Sequence, residues 1–276
     1  MALILKLALL ILFLYCIASA GLKDPFPLGS SMCTQGTLVH SEGMDGRQPW
    51  IPSAFYNDST FYGIAACGAS YYGGINEGAL LQYGIGGFLR RGHSVLKLAL
   101  LQMDVMGIYF EQSVLGSAGF FWNSVAFSVE ARSMRLGLGE TADIRAFTAL
   151  GASVTGYFSF VEISLLIDGL TVESSGERSC ESPPQVKTFF QTRHGKYGAQ
   201  GLQVDILPNQ NKPLRFALAQ EYRMNKSITL SAALSSNPTM ISFGVKLELR
   251  HIGASVAAVN HPLLGWSRGF SADFYR

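Results

Sequence analysis

From Leu214 to Arg276 the chain repeats one pattern: alternating apolar and polar residues, a short turn, then another such run. Ile241, Phe243, Val245, Leu247 and Leu249 share one parity, and Ser242, Gly244, Lys246 and Glu248 the other. Ile252, Ala254, Val256 and Ala258 repeat it opposite Gly253, Ser255 and Ala257, after a turn of little more than Arg250-His251. Successive side chains of a strand point to opposite faces, so each run has an oily face and a polar one. No period near 3.6 fits, which excludes amphipathic helices here. Two settings produce such alternation. One is an exported soluble sandwich with its polar face in water; the other is a membrane barrel with lipid outside and a polar lumen.

Composition favours the barrel. Charged residues make up 14% of the chain and hydrophobic residues 48%, whereas a water-soluble domain carries about 25% charged residues. A lipid-facing belt needs fewer charges, because half its strand positions must be apolar. Residues 1–20 read as a secretory leader: Lys6, the apolar stretch Leu7–Leu14, and the small-x-small site Ala18-Ser19-Ala20. That stretch is short for a spanning helix of about 20 residues, and no later run is long enough for one. A lipoprotein reading of Cys16 lacks the small residue that Phe13-Leu14-Tyr15 would have to supply. A membrane-embedded form must therefore cross as a closed barrel. The net charge of +2 and the lack of any nucleic-acid motif exclude a basic binding footprint.

Residues 21–58 are punctuated by Pro25, Pro27, Pro49 and Pro52 and show no alternation. They read as an irregular segment, periplasmic or plugging the lumen, ahead of a barrel over 59–276. About fourteen strands follow, near 60–70, 78–89, 94–102, 105–115, 124–138, 143–154, 156–167, 186–193, 198–206, 213–223, 227–235, 239–249, 251–260 and 266–275. Most are close to the ~9–11 residues that cross the hydrocarbon. Counted back from a periplasmic C-terminus, the short turns fall at Arg250-His251, Met224–Lys226, Gly195–Tyr197, Thr155-Gly156 and Arg90–Gly92. The longer loops fall at Asn260–Gly265, Leu207–Lys212 and Asp168–Gln185. One long connection, Gly116–Asn123, falls on the short side, and twelve strands is the fallback there; Met106–Leu115 could also be helical. Glycines within strands, such as Gly63, Gly68, Gly84, Gly86 and Gly87, suit tight curvature.

The charged residues of the polar parity, Glu130, Arg132, Asp205, Arg215, Glu221, Lys246 and Glu248, are the candidate lumen-facing binding set, with Asp273 beside them. They either contact a ligand or satisfy one another as cross-strand ion pairs. Tyr71, Tyr72, Trp122, Trp266, Phe274 and Tyr275 lie near strand ends, where aromatic girdles form. His40, His93, His194, His251 and His261 are scattered, and no catalytic, phosphate-binding or dinucleotide fingerprint is present. No zinc spacing links Cys33, Cys67 and Cys180; one disulfide, such as Cys33–Cys67, or three thiols are both compatible. No cofactor or metal is expected, and no enzyme.

Leu218-Ala219-Gln220-Glu221-Tyr222-Arg223, Ser242-Phe243-Gly244, the closing segment His261-Pro262-Leu263-Leu264-Gly265 with Gly269-Phe270-Ser271, and Ser53–Ser59 together resemble the PorV/PorQ-like outer-membrane proteins. These belong with the long-chain fatty-acid transporter (FadL-like) superfamily of fourteen-stranded barrels. Asp58 stands where that family's N-terminal signature has proline, and Arg276 follows the aromatic residues with which such barrels usually end. The resemblance implies a bacterial outer-membrane location among membrane lipid. It also implies a non-enzymatic role, either carrying a hydrophobic ligand or shuttling and scaffolding secreted or envelope proteins. A lipid-modifying barrel enzyme and a soluble exported sandwich are the competing readings.

Overall fold

The computed structural model describes residues 61–71, 80–105, 109–138, 145–175, 184–193, 198–206, 213–263 and 265–276. The leader, the segment 21–58, Tyr72 and His194 lie outside them. The strands are β1 (Phe61–Tyr71), β2 (Leu80–Arg91), β3 (Ser94–Val105), β4 (Tyr109–Trp122), β5 (Val125–Leu138), β6 (Arg145–Phe158), β7 (Val161–Ser175), β8 (Gln185–Arg193), β9 (Gly198–Ile206), β10 (Leu214–Arg223), β11 (Ile228–Ser235), β12 (Met240–Leu249), β13 (Ile252–His261) and β14 (Gly265–Tyr275). Each pairs antiparallel with its sequence neighbours, and β1 pairs with β14, so the fourteen strands close into one up-and-down barrel. The backbone of Tyr62 exchanges two hydrogen bonds with that of Arg276 at this seam, 3.0 and 2.9 Å. Closure leaves no strand edge facing lipid, where an unpaired amide would be costly.

The two-residue period fixes which face is which. Along β12 the outward Ile241, Phe243, Val245, Leu247 and Leu249 are exposed, while Ser242, Gly244 and Lys246 are buried. Eight residues separate Ile241 from Leu249, about 26 Å along the strand, enough for most of an apolar band after tilt. Among the described residues, outward charge within the strands is confined to their ends. Arg91 sits beside the Gly92 turn, and Asp104, Arg135 and Arg268 lie toward the opposite end. Inward-facing serines pair across strands instead: Ser128 with Ser153 at 2.7 Å, and Ser255 with Ser271 at 2.6 Å. Replacing Ser255 by Ala should cost about 1–2 kcal/mol, because Ser271 is left buried without that partner; the double alanine variant should recover most of the loss. Urea titrations of the folded barrel in micelles measure both.

Three sequence expectations are corrected, and the strand expected over 105–115 is found, among the described residues, in place of its helical alternative. Thr155 and Gly156 are strand residues, and the turn is Ser159-Phe160, with Ser159 at φ 54°; Tyr157 consequently belongs to β6 rather than to the strand expected over 156–167. Gly116–Asn123 is no loop: β4 runs to Trp122, and a two-residue turn at Asn123-Ser124 follows, with Asn123 at φ 52°. The alternation is masked there because glycine, alanine and serine stand on both faces. Described residues of 105–121 are strand, with no helix among them. β7 continues to Ser175, well into the expected loop after Asp168.

This last difference shapes the wall. β7 pairs with β8 only as far as Asp168↔Gln185, yet pairs with β6 up to Ser175↔Ala146. The register slips at Thr148/Ala149 and Leu150/Ala152, opposite Gly169, whose φ of 84° suits glycine. Strands β4 to β7 are 14–15 residues long and β8 to β11 only 8–10.

Candidate functional site

The candidate site is the lumen wall. Alternation turns every second side chain of β5 to β10 inward, several of them charged or polar, and strand pairing sets these side by side. Arg132 of β5 lies 2.7 Å from Glu130 on its own strand and 3.8 Å from Asp168 of β7. That second contact spans β6, where the intervening inward residue is Gly151; an added Cβ there would meet Asp168 Oδ1 at 3.5 Å. The missing side chain leaves a passage for the guanidinium. Asp205 of β9 stands opposite Arg215 of β10 and Lys187 of β8. Its carboxylate lies 3.8 Å from Arg215 and accepts a 2.6 Å hydrogen bond from Gln203. Lys246 and Glu248 pair at 3.0 Å on β12, and Glu248 also meets Arg223 at 3.2 Å nearer the short-turn rim. Glu221 faces inward on β10, half-buried, opposite Ser231.

All seven candidate residues therefore face the inside, and six of them stand in three ion-paired groups: Glu130 with Arg132, Asp205 with Arg215, Lys246 with Glu248. Cross-strand distance brings the first two groups no closer to the third; they are neighbouring stations on one wall. Asp273 faces inward as well, opposite Gly253, whose added Cβ would collide with its carboxylate. Arg132 and Asp205 are 5% and 0% exposed, so their charges depend on these partners.

Apolar clusters interrupt this polar wall. Ala65, Cys67, Ala69 and Tyr71 of β1 form one buried cluster with Ala257 and Val259 of β13, flanked by Leu80, Leu101 and Met240. Met134, Leu136 and Phe147 form a second one on β5 and β6. The β1 cluster was missed in the sequence because small residues stand on both faces of that strand (Ala65, Cys67 and Ala69 against Ala66, Gly68 and Ser70), so its parity carries little contrast. Tyr71 belongs to this inner cluster at 3% exposure and not to a girdle. Trp122, Trp266 and Phe274 do point outward, whereas Tyr275 has inward parity. The buried Cys67 places its sulfur 3.7 Å from the Gly84 carbonyl oxygen; Cys33 and Cys180 lie outside the described residues. His93 and His251 sit at short turns, and the His251 ring lies 3.1 Å from the Tyr275 carbonyl oxygen. No group of three metal-ligating side chains occurs among the described residues.

No family model and no curated protein matches the chain. Among solved structures it is similar to the outer membrane protein Omp33 of Acinetobacter baumannii, at 9% identity and TM-score 0.50, covering 79% of this chain and 99% of that one. The fold is that of an outer-membrane β-barrel. A mutant of the Rh. blastica porin also matches, at 8% identity and TM-score 0.47 over the same shares of each chain. At such identities the likeness concerns architecture. The apolar exterior, the polar and paired interior and the closed seam agree with it independently.

Proposed function

We propose that this chain is a non-enzymatic barrel of the bacterial outer membrane that carries a hydrophobic or amphipathic ligand through its lumen. The observation that supports this is the division of the inner wall. An apolar arc, in which Ala65, Cys67, Ala69 and Tyr71 of β1 meet Ala257 and Val259 of β13 with Leu101 and Met240 at its flank, shares the inner wall with the ion pairs of β5, β9, β10 and β12. A hydrocarbon chain suits the apolar arc and a polar head the ion-paired groups. The resemblance of residues 218–223, 242–244 and 261–271 to the PorV/PorQ-like and fatty-acid-transporter barrels favours the same ligand class. A permanently open aqueous pore fits less well. Sixteen- to eighteen-stranded porins line a water channel, whereas here even small wall residues such as Ser242, Ser255 and Thr155 are 0–3% exposed. Ligand passage then requires the lining to part.

The test uses the purified protein in planar bilayers and in a fluorescent fatty-acid displacement assay. The expected result is low resting ion conductance with saturable fatty-acid binding. Leu101→Gln, placed in the apolar arc, should weaken that binding at least fivefold while the unboiled protein keeps its fast gel migration. Steady porin-like conductance with no fatty-acid binding would overturn the reading.

A further inference from the structure

We propose that the outer wall over β2 to β6 holds one anionic phospholipid in a fixed seat. The first observation is a groove of about 880 Å³ on the lipid-facing side. Its floor is the lateral row Gly87, Gly116 and Ala131, with Ala118 beside it, and Leu98 and Leu150 stand on either side of the Gly116–Ala131 pair. Elsewhere on the outer face Gly68 lies under the ring of Phe270, Gly137 under Phe110 and Gly156 under Phe158. The groove floor has no such cover: an added Cβ at Gly116 would meet nothing within 4 Å, and at Gly87 the Gly63 carbonyl oxygen at 2.9 Å but no aromatic ring.

The second observation is polar and lies along the same strands. Gln102, Gln112 and Arg135 form one cross-strand row on the outward face. Gln112 donates a hydrogen bond to Gln102 at 3.4 Å. Arg135 is exposed on the lipid side. Gln112 is four residues from Gly116 along β4, about 13 Å, and only the row of Val114 and Ser133 intervenes. Asp104, one row further on β3, sets the edge of the seat and keeps an anion toward β4 and β5. An acyl chain in the groove would place its phosphate at Arg135, where a guanidinium and an amide can both donate to it. The occupant must be hydrocarbon through the groove and anionic at its end, and a phospholipid of negative headgroup has that order.

The experiment is native mass spectrometry of the full-length protein, delipidated in detergent and titrated with phosphatidylglycerol. The wild-type protein should retain one phosphatidylglycerol per barrel. Gly116→Leu adds a side chain to the groove floor at a position where a Cβ meets nothing within 4 Å, and Arg135→Gln removes the cation; each should lower occupancy at least fivefold. Arg268→Gln removes an outward cation far from the groove and should leave occupancy unchanged. Phosphatidylglycerol retention at wild-type levels in either of the first two variants would overturn the proposal. So would an equal loss in Arg268→Gln, or a lipid-free dimer that Gly116→Leu dissociates, which would make a second copy the occupant. None of these outcomes bears on fatty-acid binding in the lumen, so the two proposals fail separately.

Discussion

Arg132→Ala should destabilise the barrel by about 3–5 kcal/mol, the largest loss expected from a single truncation of a charged side chain here. The guanidinium is 5% exposed and contacts Glu130 at 2.7 Å and Asp168 at 3.8 Å. Deleting it leaves two carboxylates close together inside the wall without the cation that screens them. Arg132→Lys keeps a charge but loses the planar fork that serves two acceptors at once, so a smaller loss is expected. Adding Glu130→Gln and Asp168→Asn to the alanine variant should restore much of the stability, because the uncompensated charge disappears with its cause. Urea titration in lipid vesicles, followed by tryptophan fluorescence, reads each variant. A loss below about 1 kcal/mol for Arg132→Ala, the range of hydrated surface pairs, would show these groups to be solvated.

The second large effect is expected on the opposite face. Val245 points outward near the middle of β12, and its neighbour Lys246 points inward, buried and paired with Glu248 at 3.0 Å. Val245→Arg should cost about 2–4 kcal/mol, since the charge is forced into the hydrocarbon midplane, and Leu249→Arg near the strand end about 0–1 kcal/mol. The same vesicle titration measures both. Equal costs at the two positions would contradict the apolar belt, because depth would then have no meaning.

Much of this fold was legible in the sequence because it depends on parity alone. Where large apolar residues alternate with charged ones, as in β12, the strand, its faces and its short turn follow directly. Parity fails where both faces are small. β4 carries Gly116, Ser117, Ala118 and Gly119 in succession, so a continuous strand read as a loop. The same local blandness hid the β1 inner cluster and the groove at Gly116. The charged set was legible as inward-facing, but its pairing was not. The Arg132–Asp168 contact skips a strand, across a β6 position held by Gly151. Such a contact has no signature at any fixed spacing. The Gly169 bulge was likewise invisible, since a glycine in a polar stretch reads as a turn.

That bulge has a consequence for how the barrel meets its surroundings. Beyond Asp168 the ladder to β8 ends while β7 climbs on with β6 to Ser175, a further 20 Å or so along the strand. The strand scaffold is therefore a stair: a parapet on β4 to β7 and a low threshold on β8 to β11. Among the described residues, the rim of paired strands is therefore set at two heights, higher over β4 to β7 than over β8 to β11.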